Sequence, residues 1–276
     1  MKKTITHPAR RLSTIFFELV SLASAGSASA QPNLEGVYSG IFTTRHDPYW
    51  RVEDWLCFSG CTEEGLAHFK ALLADPKNDP IPVFGLIGQT MGMMRGTMRT
   101  NLMGKSVEIF DTVDDKNDPT LNCEPYRFAR EVVNALPMRI KREGKNLVID
   151  YEEWNQTRTI HLDGRTVPKH LKPTPMGYST GHWEGDVLVV DTVGLTPDIF
   201  YPMNSGGGYS EQARGHERYT VMENPRRLRL DLTMEDPTML KAPYAVHKIW
   251  LYTPDLKLVK DSCKDYPTKP GPGGAG

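Results

Sequence analysis

Along the second half of this chain apolar and polar side chains alternate one for one in short runs, the period of a strand that buries one face and wets the other. The clearest run is Arg227-Leu-Arg-Leu-Asp-Leu-Thr-Met-Glu235, with Leu228, Leu230, Leu232 and Met234 on one face and charge on the other. Turn residues punctuate these runs at Glu143-Gly-Lys145, Asp163-Gly164, Gly185-Asp186, Glu223-Asn-Pro-Arg226 and Pro254-Asp255, so the chain from Pro137 onward reads as successive antiparallel hairpins. Gly36 to Ile41 adds a short strand candidate near the start. One segment has the helical period: Thr62 to Ala74 places Leu66, Phe69, Leu72 and Leu73 on one side, opens with Thr62 as N-cap and acidic residues in its first turn, and stops before Asp75-Pro76. No comparable helix interrupts the strands, which disfavours parallel βαβ units and predicts a mainly β fold, an antiparallel barrel or sandwich with one or two peripheral helices.

The first thirty residues change the picture of where the protein works. Lys2, Lys3, Arg10 and Arg11 precede an apolar run from Ile15 to Ala23, broken by Glu18, and Ala28-Ser-Ala30 precedes Gln31. This is the pattern of a cleavable export signal, and it predicts a periplasmic or secreted protein. Residues 31–266 then form one β-barrel domain with a helical insertion near 62–74, and the Pro/Gly-rich tail 267–276 is disordered. Removing residues 1–30 takes four basic side chains and one acidic one from totals of 33 and 34, which leaves a net charge of −4. A nucleic-acid partner is not expected from such a balance, since the one basic cluster, Arg226, Arg227 and Arg229, decorates a hairpin. No apolar stretch reaches the roughly 20 residues of a membrane span.

Cys57, Cys61, Cys123 and Cys263 allow two disulfides in three connectivities in an exported chain. Cys57-Phe-Ser-Gly-Cys61 lacks the Cys-x-x-Cys or His spacing of a zinc site, so no metal is expected. The loop Ser205-Gly-Gly-Gly-Tyr-Ser-Glu211 lacks the preceding strand and the Lys-Ser/Thr of a phosphate loop; a lid is its functional alternative.

Candidate chemistry concentrates between Tyr151 and Gly194. In the hairpin 178–193, Tyr178, Thr180, His182, Val187, Val189 and Asp191 share one face in either turn register, and Ser179, Gly181, Trp183, Leu188, Val190 and Thr192 share the other. A His beside an Asp is the raw material of a general base, because the carboxylate fixes the tautomer and raises the basicity of the imidazole. The catalytic candidates are therefore His182, Asp191 and Tyr178, with His161 at a strand end and Glu211 beside the Gly-rich loop. Arg165, Thr180, Trp183 and His216 complete the set as substrate contacts. Two familiar arrangements are set aside. Glu152 and Glu153 are adjacent in a strand and point to opposite faces, so they cannot act on one bond as a glycosidase pair. Gly177-Tyr-Ser-Thr-Gly181 matches a nucleophile elbow in letters but lacks the following helix.

The residues Arg158-x-Ile160-x-x-Asp163-Gly-Arg165, Gly177-x-Ser179-x-Gly181-x-Trp183-Glu-Gly-Asp186-x-Leu-Val-Val-Asp191-Thr-x-Gly194, Ser210-Glu211, Glu217-Arg-Tyr219 and Glu235-Asp-Pro237 give the chain its resemblance to a large family of secreted bacterial proteins. The resemblance covers about residues 120–265. It implies an exported, lipocalin-like β-barrel, and Cys123 and Cys263, which fall where that family places cysteines, as the disulfide pair. With this fold the leading expectation is a cofactor-independent lyase, isomerase or hydrolase that performs acid/base chemistry on a small, partly apolar molecule in a barrel cavity. A lipocalin-like binding protein without turnover is the alternative.

Overall fold

Burial along the strands follows the alternation of the sequence. A computed structural model describes residues 31–40, 63–78, 98–112, 118, 120, 123–134, 136–199 and 207–260. The amino-terminal segment 1–30, Thr62, most of 79–103, Cys57, Cys61, Cys263 and the tail 267–276 lie outside them. Strand β1 (Gly36–Gly40) and helix α1 (Glu63–Ala74) are followed by α2 (Lys105–Thr112) and the one-turn helix α3 (Phe128–Glu131). The strands β2 (Met138–Glu143), β3 (Asn146–Tyr151), β4 (Thr157–His161), β5 (Tyr178–Glu184), β6 (Val187–Val193), β7 (Asp198–Ile199), β8 (Gly208–Tyr209), β9 (Arg214–Met222), β10 (Arg227–Glu235) and β11 (Tyr244–Tyr252) complete the chain. Nine of them close a barrel in the order β1-β11-β10-β9-β6-β5-β4-β3-β2, and β7 and β8 form a separate two-stranded ladder. The fold is mainly β, as the alternation predicts. Among the described residues no helix is long and apolar enough to cross a membrane.

On β10, Leu228, Leu230, Leu232 and Met234 are at most 1% exposed and fill the barrel, while Arg229 and Asp231 pair with each other outside at 2.7 Å. Closure falls to β1, where Tyr38 stands opposite Tyr252 on one side and Met138 on the other. The Gly185-Asp186 turn joins β5 to β6 with Glu184 facing Val187, and Gly185 has φ +58, the left-handed conformation that such a two-residue turn requires.

One expectation is overturned. Asp163-Gly164 does not turn a hairpin: β4 and β5 run parallel, paired only at Ile160 with Ser179 and His161 with Thr180. Parallel neighbours cannot be joined by a tight turn, so residues 162–177 run back as a long connection that is tied down at Thr174, whose N–H donates to Gly194 O at 3.0 Å. The barrel is therefore mixed, with one short parallel seam in an otherwise antiparallel wall.

Helix α3 sends one side chain, Phe128, into the barrel. Phe128 is fully buried against Gly215, where an added Cβ would stand 2.4 Å from the ring, and beneath the Arg158 guanidinium at 4.9 Å. Trp250 Nε1 donates to Asn134 O at 2.9 Å and Gln156 Nε2 to Tyr126 O at 2.6 Å, which fixes the segment at both ends. Glu131 of this helix is 1% exposed. One of its oxygens accepts from Gln156 Nε2 at 2.8 Å and the other has no partner, so burial pushes its carboxyl well above the ordinary range.

The interior also holds a charge pair. Arg158 Nη1 and Nη2 donate to the two oxygens of Glu217 at 2.7 and 2.5 Å, with 2% and 0% exposure of the two side chains. Ser179 Oγ takes the Arg158 Nε bond at 3.0 Å and Thr192 Oγ1 takes one from Nη2 at 2.8 Å. Tyr219 donates its hydroxyl to Glu217 at 2.8 Å. Burial works to lower the Arg158 pKa, and the Glu217 carboxylate outweighs it and raises it well above the ordinary guanidinium value.

Removing one partner of this pair leaves an uncompensated buried charge, at a cost of about 3–5 kcal/mol. Arg158→Met and Glu217→Met should each lower the unfolding free energy measured by urea titration by that amount, and the double variant should lose less than the two singles together; additive losses would show that the pair is not coupled. A second prediction concerns pH. With Glu131 raised in the folded state, its contribution is present below the unfolded value near 4.5 and is lost as pH rises through the folded value. Buried Lys248 is pushed down to about 7 by desolvation, so its protonated form costs stability below that pH and the cost fades toward 10.5. In thermal melts Glu131→Gln should gain on wild type as pH rises from 5 to 9, whereas Lys248→Met should gain most at pH 6 and least at pH 10. Parallel curves for variant and parent would contradict both assignments.

Candidate functional site

Parity groups the residues of hairpin 178–193 as the sequence implies, and burial decides which group looks inward. Ser179 and Thr192, at 1% and 0% exposure, join Leu188 and Val190 inside because their small hydroxyls fit around the Arg158 guanidinium. Tyr178, Thr180, His182 and Asp191 consequently face out. His182 and Asp191 are each 59% exposed at the side chain, so neither lines a cavity within the barrel. Trp183 points inward with the first group and packs partly buried against the core.

The outward group forms an ordered row. Register places His161 opposite Thr180, Thr180 opposite Asp191, and Asp191 opposite His216, so four polar side chains cross four neighbouring strands on the outer wall. Within it the carboxylate of Asp191 meets His216 Nδ1 at 2.8 Å, while His182 Nε2 lies 3.4 Å from Glu184. The Asp191 partner is therefore a histidine from β9 and not the one on its own hairpin. The His161 ring lies over Tyr178 with centroids 4.8 Å apart, and its Nδ1 stands 3.3 Å from Asn146 Oδ1. Partial burial, then the charge of Arg165, lowers the His161 pKa and favours the neutral imidazole. Arg165 forms a short ion pair with Asp163, whose carboxyl it holds far below the usual range, and hydrogen-bonds Tyr178. Both residues thereby fix the start of the 162–177 connection.

A concave site lies elsewhere, at the barrel rim where β6 ends, β9 begins and β10 ends. This cleft of about 770 Å³ is lined by residues 211–214, 235–237 and 240–243 with Val167, Val193 and Gly194. Its walls are tied together by Asp236, 3% exposed, whose carboxylate accepts from Ser210 N at 2.6 Å, Ser210 Oγ at 3.0 Å, Thr238 N at 3.0 Å, Thr238 Oγ1 at 2.8 Å and Met239 N at 3.1 Å. Gly194, at φ +67, turns the chain out of β6 at the same edge.

Glu211 is the one catalytic candidate from the sequence that lines this cleft. It is exposed and makes no hydrogen bond or ion pair among the described residues. His161, Tyr178, His182, Asp191 and His216 stand on the outer wall, so the sequence-derived set does not converge on one cavity. Arg214, Glu235 and Lys241 were not singled out in the sequence, although the four-residue turn at 223–226 fixes a register that sets Arg214 directly opposite Glu235 at the rim. The described residues contain no cluster of three or more His, Cys, Asp or Glu with metal-ligand geometry. No family model, no curated protein and no solved structure significantly matches this chain.

Proposed function

We propose that the protein is an exported β-barrel that binds a small, partly apolar molecule in the rim cleft. The observation that carries this reading is the cleft itself, about 770 Å³ and walled by both apolar and charged side chains. Ligand sites fall in this range of size. The residues behind the resemblance to secreted bacterial proteins support it by their division of labour. Arg158, Ser179, Thr192, Glu217 and Tyr219 are engaged in the buried network, and Asp236 in pinning the rim. Glu211 is engaged in nothing among the described residues and faces the cleft.

Acid/base catalysis is a second reading of the same site, favoured by that unpartnered Glu211 carboxylate. A lyase, isomerase or hydrolase would use it as the proton-transferring group, and turnover of the bound compound separates this reading from simple binding.

The test is a titration with the uncharged fluorescent probe N-phenyl-1-naphthylamine. One saturable site is expected, and Ala242→Trp, which fills the cleft from an exposed position, should weaken binding by about tenfold or more with the melting temperature unchanged. Equal binding by Ala242→Trp and wild type would remove the cleft as the ligand site.

Export is supported by the charge and apolar pattern of residues 1–30 and by Cys123, which is not a free thiol. Its pairing with Cys263 belongs to the same proposal. That bond would close a loop long enough to contribute about 4–5 kcal/mol on the chain-entropy account. Non-reducing peptide mapping should find the Cys123–Cys263 crosslinked peptide, and a Cys123 crosslink to Cys57 or Cys61 would replace it.

A further inference from the structure

Arg214 and Glu235 occupy the directly opposed ends of β9 and β10, at the lip of the cleft. Opposite charges placed across an antiparallel pair are within reach of each other and can close into an ion pair. These two do not. Neither makes a hydrogen bond or ion pair among the described residues, and both are exposed at the cleft. Glu211 adds a second unengaged carboxylate, and Lys241 a second cation, whose Nζ keeps two donors after giving one to Thr100 O at 2.7 Å.

The cleft thus presents two cations, Arg214 and Lys241, and two unengaged carboxylates, Glu211 and Glu235, with the Asp236 carboxylate held in its own hydrogen bonds, beside an apolar wall that includes Val167, Val193, Leu240 and Pro243. A purely anionic ligand would meet two uncompensated carboxylates, and a purely cationic one two uncompensated cations. A molecule carrying both charges meets complementary groups at each end.

We infer that the ligand is a small zwitterion with an apolar side group, an amino carboxylate, whose carboxylate takes the paired N–H groups of Arg214 and whose ammonium takes Glu235. The planar guanidinium supplies two parallel donors to a carboxylate, which a lysine cannot do. The inference rests on the cleft being the ligand site.

Calorimetric titration of the purified protein with three probes of one apolar body separates the two ideas: L-phenylalanine, 3-phenylpropionate without the amine, and phenethylamine without the carboxylate. Phenylalanine should bind, and each analogue at least about tenfold more weakly. Arg214→Gln should erase the preference over phenethylamine, and Glu235→Gln the preference over 3-phenylpropionate, with melting temperatures unchanged. An analogue that binds as well as phenylalanine overturns the zwitterion and leaves the cleft standing. The same holds if none of the three binds while the fluorescent probe still does. Failure of the fluorescent probe together with all three removes both.

Discussion

Arg158 reaches across the weakest seam of the barrel. β4 and β5 share only two register pairs and run parallel, so the backbone alone holds the wall loosely there. The Arg158 guanidinium, rooted in β4, binds Ser179 on β5, Thr192 on β6 and Glu217 on β9, and so joins four consecutive strands from the inside. A buried charge tolerates little rearrangement, because any partner it loses is replaced by nothing in a dry interior. That demand fixes the register of β4 against β5, a register that a pair of this length would specify poorly by itself.

The same network decides where a ligand can go. With Arg158, Glu217 and Tyr219 in the middle and Phe128 of α3 packed beneath the guanidinium, the interior around this cluster is filled by the protein itself. Glu131 and Lys248 are buried in that interior with pKa values displaced in opposite directions, one raised and one lowered by the same loss of water. Concavity survives at the rim, where strands end and the connecting segments 210–214 and 235–243 face each other. Connections on a rigid scaffold are the usual location of binding residues, since they can differ in side chain without disturbing the ladders beneath.

Much of this was legible in the sequence, and the parts that were not have physical reasons. Strict alternation in 227–235 gives the buried face of β10, and the two-residue turn at Gly185-Asp186 gives the pairing of β5 with β6 residue by residue. Parity sorts hairpin 178–193 into two faces but carries no sign, because Ser179 and Thr192 look as polar as Thr180 and Asp191 until the guanidinium that they surround is known. The clue lay on another strand: Arg158 shares a face with Ile160, and Glu217 with Tyr219, so opposite charges sit on two otherwise apolar faces. The parallel seam was hidden because Asp163-Gly164 is also good turn chemistry. In the fold Asp163 instead binds Arg165 at the head of the 162–177 connection. Asp191 pairs with His216, which is 25 residues away in sequence, a contact that only the order of strands across the barrel reveals.

Asp236 connects the scaffold to the cleft. Its carboxylate accepts bonds from both sides of the rim, from the segment after β8 and from the turn between β10 and β11, so the two walls are held at a fixed separation before any ligand arrives. Fixed walls matter to a shallow, half-polar site, where the cost of ordering loops on binding would consume much of the affinity that a small molecule can generate. Glu211 follows Ser210 by one residue and Glu235 precedes Asp236 by one, so the backbone of each charged candidate is anchored while its side chain is left unengaged. A rigid backbone beneath free charges suits the recognition proposed for the rim, because the side chains can meet a ligand without the walls having to be ordered first.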